Sequence, residues 1–141
     1  MSTKKDKLLG RVHKNAQVGL FTLPKLNEIA DDPSFKQFLS ENEEQYKNIY
    51  YNAEKLKNSH PLLDMSALAR FRTRAMLNLS TYKDKSTSHI AEMLIMGCTA
   101  GIIDMKKSLR KYADAPQSSK ELAQNLVDIE ERSIEVLKQY L

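Results

Sequence analysis

The stretch from Ser86 to Met105, STSHIAEMLIMGCTAGIIDM, constrains the fold of this chain more than any other. From Met93 to Ile103 it carries no ionisable side chain except Cys98, although 28% of the chain is charged. A helix that is apolar on all sides belongs at the centre of a bundle. The pattern therefore predicts a buried helix over 87–112, with the other elements packed around it. Gly97 and Gly101 each cost about 1 kcal/mol relative to alanine in a helix interior, so close approach of a neighbouring helix is the expected compensation. Cys98, between them, reads as a small hydrophobe. Gly97, Cys98 and Gly101 are thus the expected helix-packing residues.

The remaining apolar residues supply partners for that helix. Leu8, Leu9, Val12, Ala16, Gly19, Leu23, Leu26 and Ile29 recur at spacings of three and four, which predicts an amphipathic helix over 6–31. Pro24 lies inside it and removes a backbone hydrogen bond, so a kink is expected between Leu20 and Pro24. Asp31-Asp32-Pro33 then ends one helix and starts another, with Asp32 as the cap and Pro33 in the first turn. The second helix, over 33–58, turns Phe35, Phe38, Leu39, Asn42, Tyr46, Ile49, Ala53 and Leu56 inward and runs antiparallel to the first.

His60-Pro61 ends that helix. A shorter helix is expected over 64–82, with Leu68, Phe71, Ala75, Leu79 and Tyr82 on one side, carrying the chain back along the bundle. After the polar run Lys83-Asp84-Lys85-Ser86 comes the apolar helix, whose last turn is basic and suits the negative end of a helix dipole. Ser118 and Glu121 form the pattern of a capping box for a final helix over 119–140, with Leu122, Leu126, Ile129, Ser133 and Leu137 on its core stripe. At 141 residues there is room for one core. The expectation is a single all-α domain, 1–141: a four-helix bundle with an additional crossover helix between the second and third helices.

A bundle of this kind raises the question of a two-metal carboxylate site, which needs a Glu from each of two helices and a Glu-x-x-His from each of the other two. The chain lacks the second element: Glu43 is followed at that spacing by Tyr46, Glu130 by Ser133 and Glu131 by Ile134. His89 and Glu92, three apart, are neighbours on one helix face. Read as a metal site they would be joined by Glu43 and Glu130; read structurally they are a first-turn pair favoured by the helix dipole. Asn42 and Tyr46 face inward and need buried partners. Glu92 and Glu130 are the candidates, which gives an expected buried polar cluster of Asn42, Tyr46, Glu92 and Glu130.

Cys98 has no basic sequence neighbour to stabilise a thiolate, and a lone cysteine suits a reducing compartment. His13 and His60 belong to no recognisable triad and are expected on polar surface. The net charge of +4 bears on solubility more than on partners. Arg70, Arg72 and Arg74, with Lys83 and Lys85, offer the best basic patch for nucleic acid, but no helix-turn-helix signature or aromatic interleaving accompanies them. No apolar run approaches the roughly 18 residues of a membrane span, and a cytoplasmic location follows as the expectation.

The segments DKSTSHIAEMLIMGCTAGIIDMKKSL and ELAQNLVDIEERSIEVLKQYL resemble a group of small uncharacterised bacterial proteins with a ferritin-like helical bundle. Ser88 to Met93 and Gly97 to Asp104 carry the resemblance. It implies a fold and no activity, and the missing imidazoles argue against iron storage or oxidase chemistry. The expected function is that of a non-enzymatic, cofactor-free interaction or stress-associated accessory protein that self-associates as a homo-oligomer. The alternatives are a metal-binding bundle with an atypical site at His89, Glu92, Glu43 and Glu130, and a nucleic-acid binder using the crossover arginines.

Overall fold

A computed structural model describes residues 4–57 and 84–141 of the chain. Among these residues there are four α helices, a terminal 3-10 turn and no strand: α1 Lys4–Ile29, α2 Pro33–Leu56, α3 Thr87–Lys111, α4 Gln117–Leu137 and the turn Lys138–Tyr140. The helix expected over 64–82, with Arg70, Arg72 and Arg74, lies outside the described residues, as does His60.

The α1–α2 hairpin forms as its sequence dictates. Asp32 caps α2 by accepting a 2.8 Å hydrogen bond from the Phe35 N–H, and Pro33 occupies the first turn, where its missing donor costs nothing. The short turn fixes an antiparallel register: Asn27 donates to the Lys36 carbonyl and to Ser40, while His13 stacks on Tyr50 with ring centroids 4.5 Å apart. Helix α1 is continuous through Pro24. On α2, Phe35, Leu39, Asn42, Tyr46, Ile49 and Ala53 are buried, the inward stripe that the periodicity requires.

The second hairpin starts at a discrete boundary. Asp84 to Ser86 are not helical, and Ser86 caps α3 by accepting from the His89 N–H at 3.2 Å. Helix α4 begins at Gln117 with Pro116 at the cap position and no capping side chain, so the expected box at Ser118 and Glu121 does not form. Proline's fixed φ already places the chain at a helix entrance, which puts Ser118 inside the first turn.

Cross-hairpin contacts set the helix directions. Asn42 donates to Ser133 at 3.0 Å and Tyr46 to Glu130 at 3.0 Å, so α2 and α4 run antiparallel. Asn15 donates to Asp104 at 2.8 Å, while Leu23 and Leu26 share a cavity wall with Met93 and Leu94, so α1 and α3 are antiparallel too. It follows that α2 and α3 point the same way. Leu8, Leu9, Val12, Leu23, Leu39, Ile90, Met105, Leu126, Val127 and Leu137 fill the core between the hairpins. At one end the Tyr140 ring packs 4.9 Å from that of Phe35, and its hydroxyl meets Ser34 Oγ at 2.5 Å.

Two sequence expectations are corrected here. Helix α3 is not buried on all sides: Met96 is 68% exposed, Ile103 is 51% exposed, and Gly97, Thr99 and Ala100 are exposed between them. Its uniform apolarity hid the fact that only Ile90, Ala91, Cys98, Gly101, Met105 and Ser108 turn to the core. His13 is not on a polar surface but 4% exposed, held against Tyr50 with its Nε2 3.0 Å from Glu54 Oε2. Among the described residues, no helix is long and apolar enough to cross a membrane.

Candidate functional site

The centre of the bundle holds a polar cluster in an otherwise apolar core. Helix α2 contributes Asn42 and Tyr46, one turn apart; α3 contributes Cys98; α4 contributes Glu130 and Ser133. All five are buried. Two hydrogen-bonded chains run through them. Asn42 Nδ2 donates to Ser133 Oγ at 3.0 Å and to Gln45 Oε1 at 3.1 Å, and Ser133 Oγ donates on to the Ile129 carbonyl at 2.8 Å. The Tyr46 hydroxyl donates to Glu130 Oε2 at 3.0 Å.

Two glycines make room for this cluster. A Cβ at Gly101 would lie 2.5 Å and 2.6 Å from the two carboxylate oxygens of Glu130, so only glycine leaves space there for the acid. A Cβ at Gly19 of α1 would lie 2.7 Å from the Tyr46 ring, and the ring packs flat against the bare backbone. The close approach expected of α3's glycines therefore occurs at Gly101, with a buried carboxylate as the neighbour. Gly97 does not share it: a Cβ there would meet nothing within 4 Å.

Burial governs the electrostatics. Desolvation of the carboxylate pushes the Glu130 pKa up to about 7; the Tyr46 hydrogen bond opposes this and the negative charge of Asp104 adds to it. The Cys98 thiol is pushed up to about 12, first by burial and then by the Glu130 charge, against a hydrogen bond with Tyr46. Tyr46 itself titrates well above its ordinary range, through burial and then the neighbouring Cys98 and Glu130. A thiol and a phenol shifted in this direction are poor nucleophiles and poor bases at neutral pH.

A cavity of about 120 Å³ opens beside the cluster. Val18, Leu23, Leu26, Met93 and Leu94 form its apolar walls, and Asn42, Tyr46, Cys98 and Glu130 its polar end. Val18 and Gly97 also line it and are exposed, which places its mouth between α1 and α3. Glu130 Oε1, buried, has no hydrogen-bond partner among the described residues.

The residues singled out by sequence divide accordingly. Asn42, Tyr46 and Glu130 come together. Glu92 does not join them, because its side chain is 64% exposed and lies 3.9 Å from His89 on the outside of α3. Glu43 pairs with Lys47 at 3.8 Å, away from both. Among the described residues, no three His, Cys, Asp or Glu side chains are grouped so as to hold a metal ion. The set of His89, Glu92, Glu43 and Glu130 is therefore not assembled.

Comparison with protein-family models, with curated proteins and with solved structures yields no match. The chain is described by its geometry alone: an all-α four-helix bundle with a polar-ended cavity that opens between α1 and α3. Sequence reasoning missed Cys98 and Ser133 as members of the polar cluster. Ser133 was legible as a polar residue on the α4 core stripe. For Cys98 there was no local signal, because its contact with Tyr46 depends on how the two hairpins dock.

Proposed function

We propose that this chain is a non-catalytic, ferritin-like bundle that works by association, and that its first partner is a second copy of itself docked through the outward face of α3. The ferritin-like assignment is supported by the helix directions: α2 and α3 run the same way, as in bundles with one long crossover connection. A reducing, cytoplasmic setting suits the single free cysteine, Cys98.

The observation that carries the reading is the composition of the exposed α3 face. Glu92, Met96, Thr99, Ala100, Ile103 and Lys107 lie on one stripe of the helix, and all are exposed. The stripe is complementary to itself when two copies are laid antiparallel. In one register Met96 meets Ile103 of the second copy, Thr99 meets Ala100, and Glu92 meets Lys107, each contact occurring twice about the axis. Small residues at the centre allow close approach. Thr99 Oγ1 already donates to the Ile95 carbonyl at 2.8 Å, so burying it leaves no unmet donor.

Charge exchange at the ends of the stripe tests this. Light scattering at high micromolar concentration is expected to find a dimer. Glu92→Lys or Lys107→Glu alone should weaken it, and the double substitution should restore it, because each acid then again faces a base. A wild-type monomer, or a double variant weaker than either single one, overturns the reading.

A further inference from the structure

We propose that the cavity at the centre of the bundle is a binding site for a small primary amine in its ammonium form, with a short apolar body and with Glu130 as its anchor. The polar end of the cavity has spent its O–H and N–H donors, leaving only the weak S–H of Cys98. The Tyr46 hydroxyl donates to Glu130 Oε2, and the Asn42 amide donates to Gln45 and Ser133. What remains for an occupant is a set of acceptors: Glu130 Oε1, the Asn42 carbonyl oxygen and the Cys98 sulfur. A pole of acceptors with one weak S–H donor, beside a buried carboxylate, selects a head group rich in N–H donors and positively charged.

The orphaned oxygen carries the argument. Glu130 is 4% exposed and Oε1 has no hydrogen-bond partner among the described residues. Leaving a buried carboxylate half-satisfied costs stability, yet Gly101 is arranged to accommodate that acid and would clash with it if it carried a Cβ. No described Lys, Arg or His forms an ion pair with Glu130. The charge that acts on the acid is that of Asp104 on α3, which is negative and itself held by Asn15 and Arg11 of α1. The missing member of the site is a cation.

Size and lining define the rest of the ligand. About 120 Å³ accommodates a molecule of roughly four to six heavy atoms, and Val18, Leu23, Leu26, Met93 and Leu94 offer it an apolar sleeve. Entry lies between Val18 and Gly97, at the surface of α1 and α3. The site does not depend on the α3 dimer, since Gly97 lies off the stripe assigned to that contact.

The probes are n-butylammonium, 1-butanol and butyrate, titrated into the full-length protein at pH 8 and followed by calorimetry and by the methyl resonance of Met93. Butylammonium is expected to bind and shift Met93, with 1-butanol about tenfold weaker or more, and butyrate not at all. Glu130→Gln should reduce amine affinity about tenfold or more while leaving 1-butanol unchanged. Gly97→Leu, which builds into open space at the mouth, should weaken the amine without unfolding the bundle. Amine affinity should also fall as pH drops below about 7, where Glu130 protonates; the groups facing it are Tyr46 from α2, with Cys98 and Asp104 from α3, while none of the α1 residues that line the cavity is titratable. Equal affinity for amine and alcohol, preference for butyrate, or an amine response unchanged in both variants overturns the proposal.

Discussion

The Tyr46 hydroxyl donates a 3.0 Å hydrogen bond to Glu130 Oε2 across 84 residues of sequence, and with the Asn42–Ser133 bond it ties α2 to α4 at the level of the cavity. The Gly19 backbone supports the Tyr46 ring from the other side, so the hydroxyl is held in position. Tyr46→Phe keeps the ring and deletes the donor. At pH 8, with Glu130 mostly ionised, the loss should be about 1–3 kcal/mol, the range for a buried group losing its charged-group hydrogen bond. At pH 5, with the acid protonated, the loss should be smaller. Urea unfolding at the two pH values measures both.

Glu130 makes stability depend on pH in a direction opposite to most carboxylates. Its folded pKa is about 7, against about 4.3 for glutamate in an unfolded chain. Below the lower value the acid is protonated in both states. Between the two, the folded protein holds a proton that the unfolded chain has released, so its contribution to stability falls as pH rises and is lost by about pH 7, at most about 4 kcal/mol in all. Glu130→Gln cannot titrate. Its unfolding free energy, minus that of the wild type, should therefore rise between pH 4.5 and 7.5; a flat difference would mean that the buried acid is not held protonated.

Burial also sets the chemistry of Cys98. With its thiol pushed up to about 12 and only 5% of the residue exposed, the reactive thiolate is nearly absent at pH 8. Alkylation by iodoacetamide should be roughly a hundredfold slower in the folded protein than in urea. Tyr46→Phe should not speed it, because the lost hydrogen bond favoured the thiolate.

How far the sequence foretold this arrangement depends on the helix. On α2 the apolar period is clean, so Asn42 and Tyr46 stood out as polar residues at inward positions, and both are there. On α4 Ser133 likewise lay on the core stripe, whereas Glu130 was reached only as a partner for Asn42 and Tyr46; both are buried. On α3 the period carries no direction, because both faces are apolar between Met93 and Ile103. A pattern that cannot distinguish in from out placed Glu92 in the core and hid the exposure of Met96 and Ile103. His13 was obscured differently: one residue beyond Val12, it reads as the polar edge of α1, and only the register set by the short turn brings it opposite Tyr50 and Glu54.

The two glycines of α3 look equivalent in sequence, and the structure separates them. At Gly97 a Cβ meets nothing within 4 Å, so Gly97→Ala should gain about 0.5–1 kcal/mol by restricting the unfolded backbone and improving helix propensity. At Gly101 the same methyl would lie 2.5 Å from Glu130 Oε2, the oxygen bonded to Tyr46, and 2.6 Å from Oε1, and relief requires moving that carboxylate. Gly101→Ala should therefore cost about 1–3 kcal/mol despite the same propensity gain. Combining Gly101→Ala with Glu130→Ala removes the obstacle and the charge together, so the alanine at 101 should be far less costly in that background. Thermal unfolding of the four proteins gives the coupling between positions 101 and 130, and strict additivity would show that Gly101 is not reserved for the acid.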